Sequence, residues 1–206
     1  MSVITLTTDF GNKDHYVGSV KGALYNELNN VNIVDISHNI SPFNIVEAAY
    51  IIENSYKNFP EGSIHIIGVD SEKTIEQSHL VIILDNHYFI CANNGIMSLI
   101  VSKINPEKII EINIHNNIIS TFSVVDVFVK IAAHIYRGGS IDLVGNQIHV
   151  LKELYNLNPI LNEKSNEITG NVIYVDNYDN VVTNISKKIF TEFGKSRSFE
   201  INARNY

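Results

Sequence analysis

Three short β-branched runs, the first two each followed by a polar loop and a helical pattern, leave the first third of this chain few folds to choose from. Val3 to Leu6, Val31 to Ile36 and Ser63 to Val69 read as strands from their length and Val/Ile content. Between them, Asp14 to Asn29 and Asn44 to Asn58 carry apolar residues at helical spacing. Asp14 can cap the first helix, whose stripe is Val17, Val20, Ala23, Leu24 and Leu28. The second buries Ile45, Ala48, Ala49, Ile52 and Tyr56, and Phe59-Pro60-Glu61-Gly62 ends it. Strands alternating with helices predict an α/β fold, a doubly wound, mostly parallel sheet flanked by helices.

The pattern continues less regularly. Leu80 to Leu84 and His87 to Cys91, separated by Asp85-Asn86, predict a hairpin with a two-residue turn. Asn93-Asn94-Gly95 leads into a helix through Ile104, Lys108 to Ile114 is a strand, and Val125 to Tyr136 is a helix closed by Gly138-Gly139. Near residue 150 the character changes. The expected domains are an α/β unit over 1–150, a polar linker over 151–168, and the start of a small β domain over 169–206 that ends as an incomplete barrel. In it, Gly170 to Val175 and Val181 to Ile185 flank the turn Asp176-Asn177-Tyr178-Asp179-Asn180, and a further strand starts at Ser198.

A net charge of −7 supplies no basic field for nucleic acid or anionic membrane, so neither is expected as a partner. No run reaches the roughly 18 apolar residues of a membrane span, and no signal peptide is visible, which makes a cytoplasmic location the expectation. The single cysteine, Cys91, lies in an apolar run and reads as a small buried hydrophobe. His65 and His134 read as structural. Phosphate-binding glycine loops, zinc spacings and a nucleophile elbow are all missing from the sequence.

Four aspartates sit at strand ends: Asp9, Asp35, Asp70 and Asp176. In a doubly wound sheet the first three emerge along the edge where ligands bind. A carboxylate there can accept two hydrogen bonds from a vicinal diol such as a ribose. Helix capping and turn formation account for such residues equally well.

The motifs in order are more specific than any one of them. Thr7-Thr8-Asp9-Phe10-Gly11, Asp14-x-Tyr16-Val17-Gly18-x-x-Lys21-Gly22, Asp35-Ile36-Ser37-His38-x-Ile40, Ala48-Ala49-Tyr50 and Phe59-Pro60-x-Gly62 are followed by Asn94-Gly95, Thr121-Phe122 and Asp176-x-Tyr178-x-Asn180-x-x-Thr183-Asn184. Over nearly its whole length the chain resembles the S-adenosylmethionine hydroxide adenosyltransferases, hydrolase relatives of the fluorinating and chlorinating enzymes. The resemblance implies a homotrimer whose site lies between the first domain of one subunit and the second of its neighbour. It also implies a reaction in which water attacks the ribose C5′ of S-adenosylmethionine, giving adenosine and methionine. The sulfonium leaves as a neutral thioether, so the chemistry requires neither cofactor nor metal, and S-adenosylmethionine enters as substrate.

The resemblance also implies roles. Asp70 orients the attacking water and Asp9 holds the ribose hydroxyls. Phe43 is an apolar wall, Phe122 lines the pocket near C5′, and Asn94 and Ser123 belong to the substrate shell. Asp176 faces the methionine amino group, while Tyr178 and Asn180 stack against and hydrogen-bond the adenine. The chain departs from the pattern in several places. Gln77 stands where the family has an arginine, and Ser123-Val124-Val125-Asp126 replaces His-Gly-Arg-Asp. Ala92-Asn93-Asn94-Gly95 replaces Pro-Asp-Asn-Gly, and Asp179 replaces a turn glycine. Two alternatives to a hydrolase follow: a degenerate homologue that binds S-adenosylmethionine or adenosine without turnover, and a halogenase in which Ser123 meets the halide. Asp70 argues against the latter, because two anions in one dry pocket repel.

Overall fold

The computed structural model describes residues 2–101, 104–114, 120–154 and 158–203, and the chain divides into two compact units, Met1–Leu154 and Tyr155–Tyr206. The first unit is built on one seven-stranded sheet, in the order β2-β1-β3-β5-β4-β6-β7. Its strands are β1 (Val3–Thr8), β2 (Asn32–Ser37), β3 (Ile64–Gly68), β4 (His79–Leu84), β5 (His87–Ala92), β6 (Lys108–Ile112) and β7 (Gly145–Gln147). β2, β1, β3 and β5 pair in parallel; β4 and β6 then pair antiparallel to their neighbours, as does β7. Five of the seven strands therefore point one way, and the fold is the mostly parallel α/β sheet expected.

Helices α1 (Tyr16–Glu27), α2 (Ile45–Glu53), α3 (Ile96–Ile100) and α4 (Val129–Tyr136) cover the sheet on both faces. Alternation along the strands feeds two cores. Ile64 and Ile66 of β3 join Val20, Leu24, Phe128 and Ala132 on one face; Ile67 joins Ala48, Ile52, Phe89 and Met97 on the other. Strands buried on both faces have no polar side to show, which is why they read as continuous apolar runs. Each fully buried Leu or Ile stabilises by roughly 1.5–3 kcal/mol, so the stability of this unit resides in these two layers. Cys91 is wholly buried, and burial pushes its thiol up to about 12.

Element boundaries shift in instructive places. Asp14 does not cap α1: the N-cap is His15, without a side-chain hydrogen bond. α2 stops at Glu53, before a separate 3-10 turn at Tyr56–Asn58, and is capped by Asn44, which accepts from the Glu47 N–H. The β4–β5 turn takes positive φ at both Asp85 (51°) and Asn86 (60°), the geometry that matches strand twist in a two-residue hairpin. The helix expected through Ile104 ends at Ile100, and residues 102–103 lie outside the described ones. β6 ends at Ile112. The last helix of this unit begins as a π-helical stretch, Val124–Phe128, before α4. Polar β7 carried no strand signal.

The second unit holds two hairpins, β8 (Ile160–Asn162) with β9 (Glu167–Thr169) and β10 (Val172–Val175) with β11 (Val181–Thr183), then α5 (Lys187–Gly194). The first hairpin falls largely in the stretch read as a linker, 151–168, of which residues 155–157 are outside the described set. Among the described residues no barrel closes, and 198–201 forms no strand. Strands of three or four residues with mostly exposed side chains cannot close a barrel or bury a core of their own. No described helix is long and apolar enough to cross a membrane.

Candidate active site

The order β2-β1-β3 contains a reversal. The chain leaves β1 for β2 on one side and returns through α2 to β3 on the other. Loops leaving the carboxyl ends of β1 and β3 therefore diverge and open a crevice. Asp9 and Asp70 are delivered there. Asp35 is not: it lies within β2, where Lys21 Nζ is 2.5 Å away. His38 Nε2 approaches Asp35 to 3.1 Å but off the N–H direction, leaving that ring nitrogen without a hydrogen bond among the described residues. Burial opposes the charge on Asp35, yet Lys21 and His38 outweigh it and hold its carboxyl below the usual range.

Asp9 ties two loops together. Its Oδ2 accepts the N–H of Phe43 at 2.9 Å and the N–H of Asp70 at 3.4 Å. Both donors have positive φ, 61° and 44°, a conformation that costs non-glycine residues about 1–3 kcal/mol and persists only where the surroundings impose it. Among the described residues Oδ1 has no partner, so ligand hydroxyls would converge on that oxygen. The two-oxygen grip on a diol is thus narrowed to one.

Asp70 spends its backbone on the protein and keeps its carboxylate free. Asn94 Nδ2 (3.2 Å) and Gln77 Nε2 (2.8 Å) donate to its carbonyl, while its side chain makes no hydrogen bond or ion pair among the described residues. Burial, reinforced by the charge of Asp9, raises its carboxyl above the ordinary carboxylate range, with Lys152 pulling the other way. A carboxylate with free oxygens and a raised pKa is suited to holding a water and taking its proton.

Around this pair, aromatic side chains supply an apolar wall. Phe122 meets Phe10 and Tyr16 edge-on, each at 5.4 Å between ring centres, and Phe10 lies 5.7 Å from Tyr16. Gly68, at the end of β3, permits this packing: a Cβ there would stand 3.0–3.1 Å from Val124, Phe10 and Thr8. Phe43 is 73% exposed and forms an open platform. Buried Asn94 is committed to the protein, with Nδ2 also donating to the Val69 carbonyl and Oδ1 accepting the Ile96 N–H.

Ser123 and Gln77 both face the loop that follows Asp70. Ser123 is wholly buried; its N–H (3.2 Å) and its Oγ–H (2.8 Å) donate to the Glu72 carboxylate. Gln77 Nε2 donates to the carbonyls of Asp70 and Glu72. Glu72 was invisible to sequence reasoning, because only the tertiary fold brings Ser123 to it across 51 positions. Tyr16 and Phe10 lay within the quoted motifs without a role, and Lys152 carried no signal.

The remaining expected residues belong to the second unit. Asp176 Oδ1 accepts the N–H groups of Tyr178 and Asn180, both at 2.9 Å, and Oδ2 accepts from Asn180 Nδ2 at 2.8 Å. These bonds, that to the Asn180 side chain first, hold its carboxyl below the usual range. Asp176 therefore shapes the β10–β11 turn, with Asp179 at φ 62° beside it and the Tyr178 ring 86% exposed at the tip. No three His, Cys, Asp or Glu among the described residues come together as a metal site.

Comparison with known proteins identifies the family. Residues 4–145 match the SAM hydroxide adenosyltransferase N-terminal domain, and residues 170–206 match the C-terminal domain of the same family. The chain belongs to this family. It is 32% identical over 193 residues to the (R)-S-adenosyl-L-methionine hydrolase of Methanocaldococcus jannaschii, covering 91% of this chain and 68% of that protein. A protein of the same name from Salinispora arenicola is 21% identical over 188 residues, covering 86% of this chain and 70% of its own. Among solved structures, an uncharacterized conserved protein from Thermotoga maritima superposes with a TM-score of 0.81 at 28% identity, covering 93% of this chain and 74% of its own.

Proposed function

We propose that this family member is an S-adenosylmethionine hydrolase, in which Asp70 orients water for attack on the ribose C5′. The observation that carries the reading is the pairing at the β1–β3 crevice. Asp9 keeps one oxygen for ribose hydroxyls, and Asp70 beside it keeps a raised, unengaged carboxylate. The water oxygen forms its bond to C5′ as the C5′–S bond breaks, and the bonding pair goes to sulfur. The water's proton passes to Asp70, and adenosine and methionine leave. Most of the acceleration comes from alignment behind C5′ and from the apolar wall of Phe122, Phe10 and Tyr16. The homotrimer implied by the resemblance, with Asp176, Tyr178 and Asn180 brought to a neighbour's crevice, is part of this reading, as is a cytoplasmic location.

One observation favours a second reading, a binder without turnover. Ser123 and Gln77 are spent on the loop, so neither is free to act on the water in place of the family's histidine and arginine. The halogenase reading loses its basis for the same reason: the Ser123 hydroxyl and amide already hold Glu72. Incubation with S-adenosylmethionine separates the two that remain. Adenosine should form and fall about 10²–10⁴-fold in Asp70→Asn. Calorimetric binding of adenosine without product in the wild type would replace the hydrolase with the binder.

A further inference from the structure

The loop from Asp70 to Gln77 is held far more firmly than its exposure suggests. Glu72 to Glu76 lie at the surface, yet three successive carbonyls at the start of the loop accept hydrogen bonds from buried side chains. The Asp70 carbonyl accepts from both Gln77 and Asn94, the Ser71 carbonyl from His79 Nε2 at 2.9 Å, and the Glu72 carbonyl from Gln77 at 3.0 Å. Gln77, Asn94 and His79 are 8%, 4% and 3% exposed. The side chain of Glu72 is in turn fastened to Ser123 at the head of the π-helical stretch.

Satisfying loop carbonyls is ordinary, but here the clamp converges on a strained residue. Asp70 has φ 44°, and relaxing it toward the usual β region would turn its peptide and swing its carboxylate away from Asp9. Both amides that grip its carbonyl oppose that rotation. We propose that Gln77 is a positioning residue, which holds the Asp70 peptide so that the free carboxylate faces the crevice, with the Glu72–Ser123 link closing the loop from its other side. The inference rests on the hydrolase reading, and it gives Gln77 a task of its own: the side-chain amide reaches two carbonyls that only a donor can satisfy.

The test compares full-length wild type with Gln77→Met, which keeps length and removes the donor, and Gln77→Glu, which replaces it with an acceptor. Both variants should lower kcat for adenosine formation roughly 10–100-fold with KM within about threefold. The acid limb of the kcat profile should shift as the Asp70 carboxylate loses its fixed setting. Amide exchange should quicken about tenfold across 70–77 and nowhere else. A kcat within about threefold of wild type overturns the proposal, as does loss of kcat and KM together with faster exchange throughout the first unit. If the wild type makes no adenosine, the hydrolase reading fails by itself and exchange decides the anchoring: acceleration confined to 70–77 upholds it, and unchanged exchange overturns it.

Discussion

Toward the amino ends of β3 and β5, titratable side chains are matched to one another, whereas at the carboxyl ends of β1 and β3 two aspartates stand together with no cation paired to either among the described residues. His65 Nδ1 lies 2.7 Å from Thr5 Oγ1 and its Nε2 lies 3.1 Å from His87 Nδ1. Tyr56 donates to Asp85 at 2.8 Å, Lys57 pairs with Asp85 at 3.0 Å, and the Phe89 ring stacks on His65 at 4.8 Å. No strained backbone is needed there beyond the tight Asp85-Asn86 turn. The opposite end has two positive-φ residues, a like-charge pair and a carboxylate with no partner among the described residues. One end is arranged for stability, the other carries strain and charge that folding alone would not select.

The largest effect expected of this contrast is at the matched end. Burial, with a smaller contribution from His87, pushes His65 down to about 3 from an ordinary 6.5. The folded state thus refuses a proton that the unfolded chain takes, so this stability is full above pH 6.5 and lost as pH falls toward 3. The slope is about 1.4 kcal/mol per pH unit, or roughly 2–3 kcal/mol between pH 6.5 and 4.5. Urea unfolding at several pH values should show it, and His65→Gln should flatten the acid side. An unchanged slope in the variant would assign acid sensitivity elsewhere.

At the other end the effect is smaller and shows in rate. With Asp70 raised by burial and by Asp9, adenosine formation should fall on acidification with a midpoint above the ordinary 3.9 of an aspartate. Lys152 opposes that rise, so Lys152→Ala should move the midpoint further up. A midpoint moving downward would mean that Lys152 does not act on Asp70.

How legible this was depends on whether a feature is local. The βαβ alternation, the Asp85-Asn86 turn and Cys91 as a core residue follow from short-range pattern and are where expected. So are Asp9 and Asp70, since strand ends in an alternating fold have only one edge to emerge from. Helix starts were less legible: Asp14 has the right chemistry for a cap, but α1 begins two residues later and leaves it outside. The β8–β9 hairpin escaped because strands of three mostly exposed residues are too short to show the alternation that marks a buried one. Glu72 escaped for a different reason. Its meaning lies in Ser123, and no spacing rule connects the two.

The smallest effect concerns Asp176, whose side chain differs from that of Asp70 in being fully engaged. Three hydrogen bonds within the β10–β11 turn occupy both its oxygens. A residue so used contributes to a ligand site mainly through the shape of the turn and the presentation of Tyr178. Asp176→Asn keeps an acceptor for the turn and removes the charge, so adenosine affinity should stay within about threefold. S-adenosylmethionine, which carries the methionine ammonium, provides the sharper probe. If its affinity also stays within that range, the carboxylate serves the turn alone. If it drops tenfold while adenosine is unaffected, Asp176 meets the ammonium despite its internal bonds, and an engaged carboxylate is still an available one.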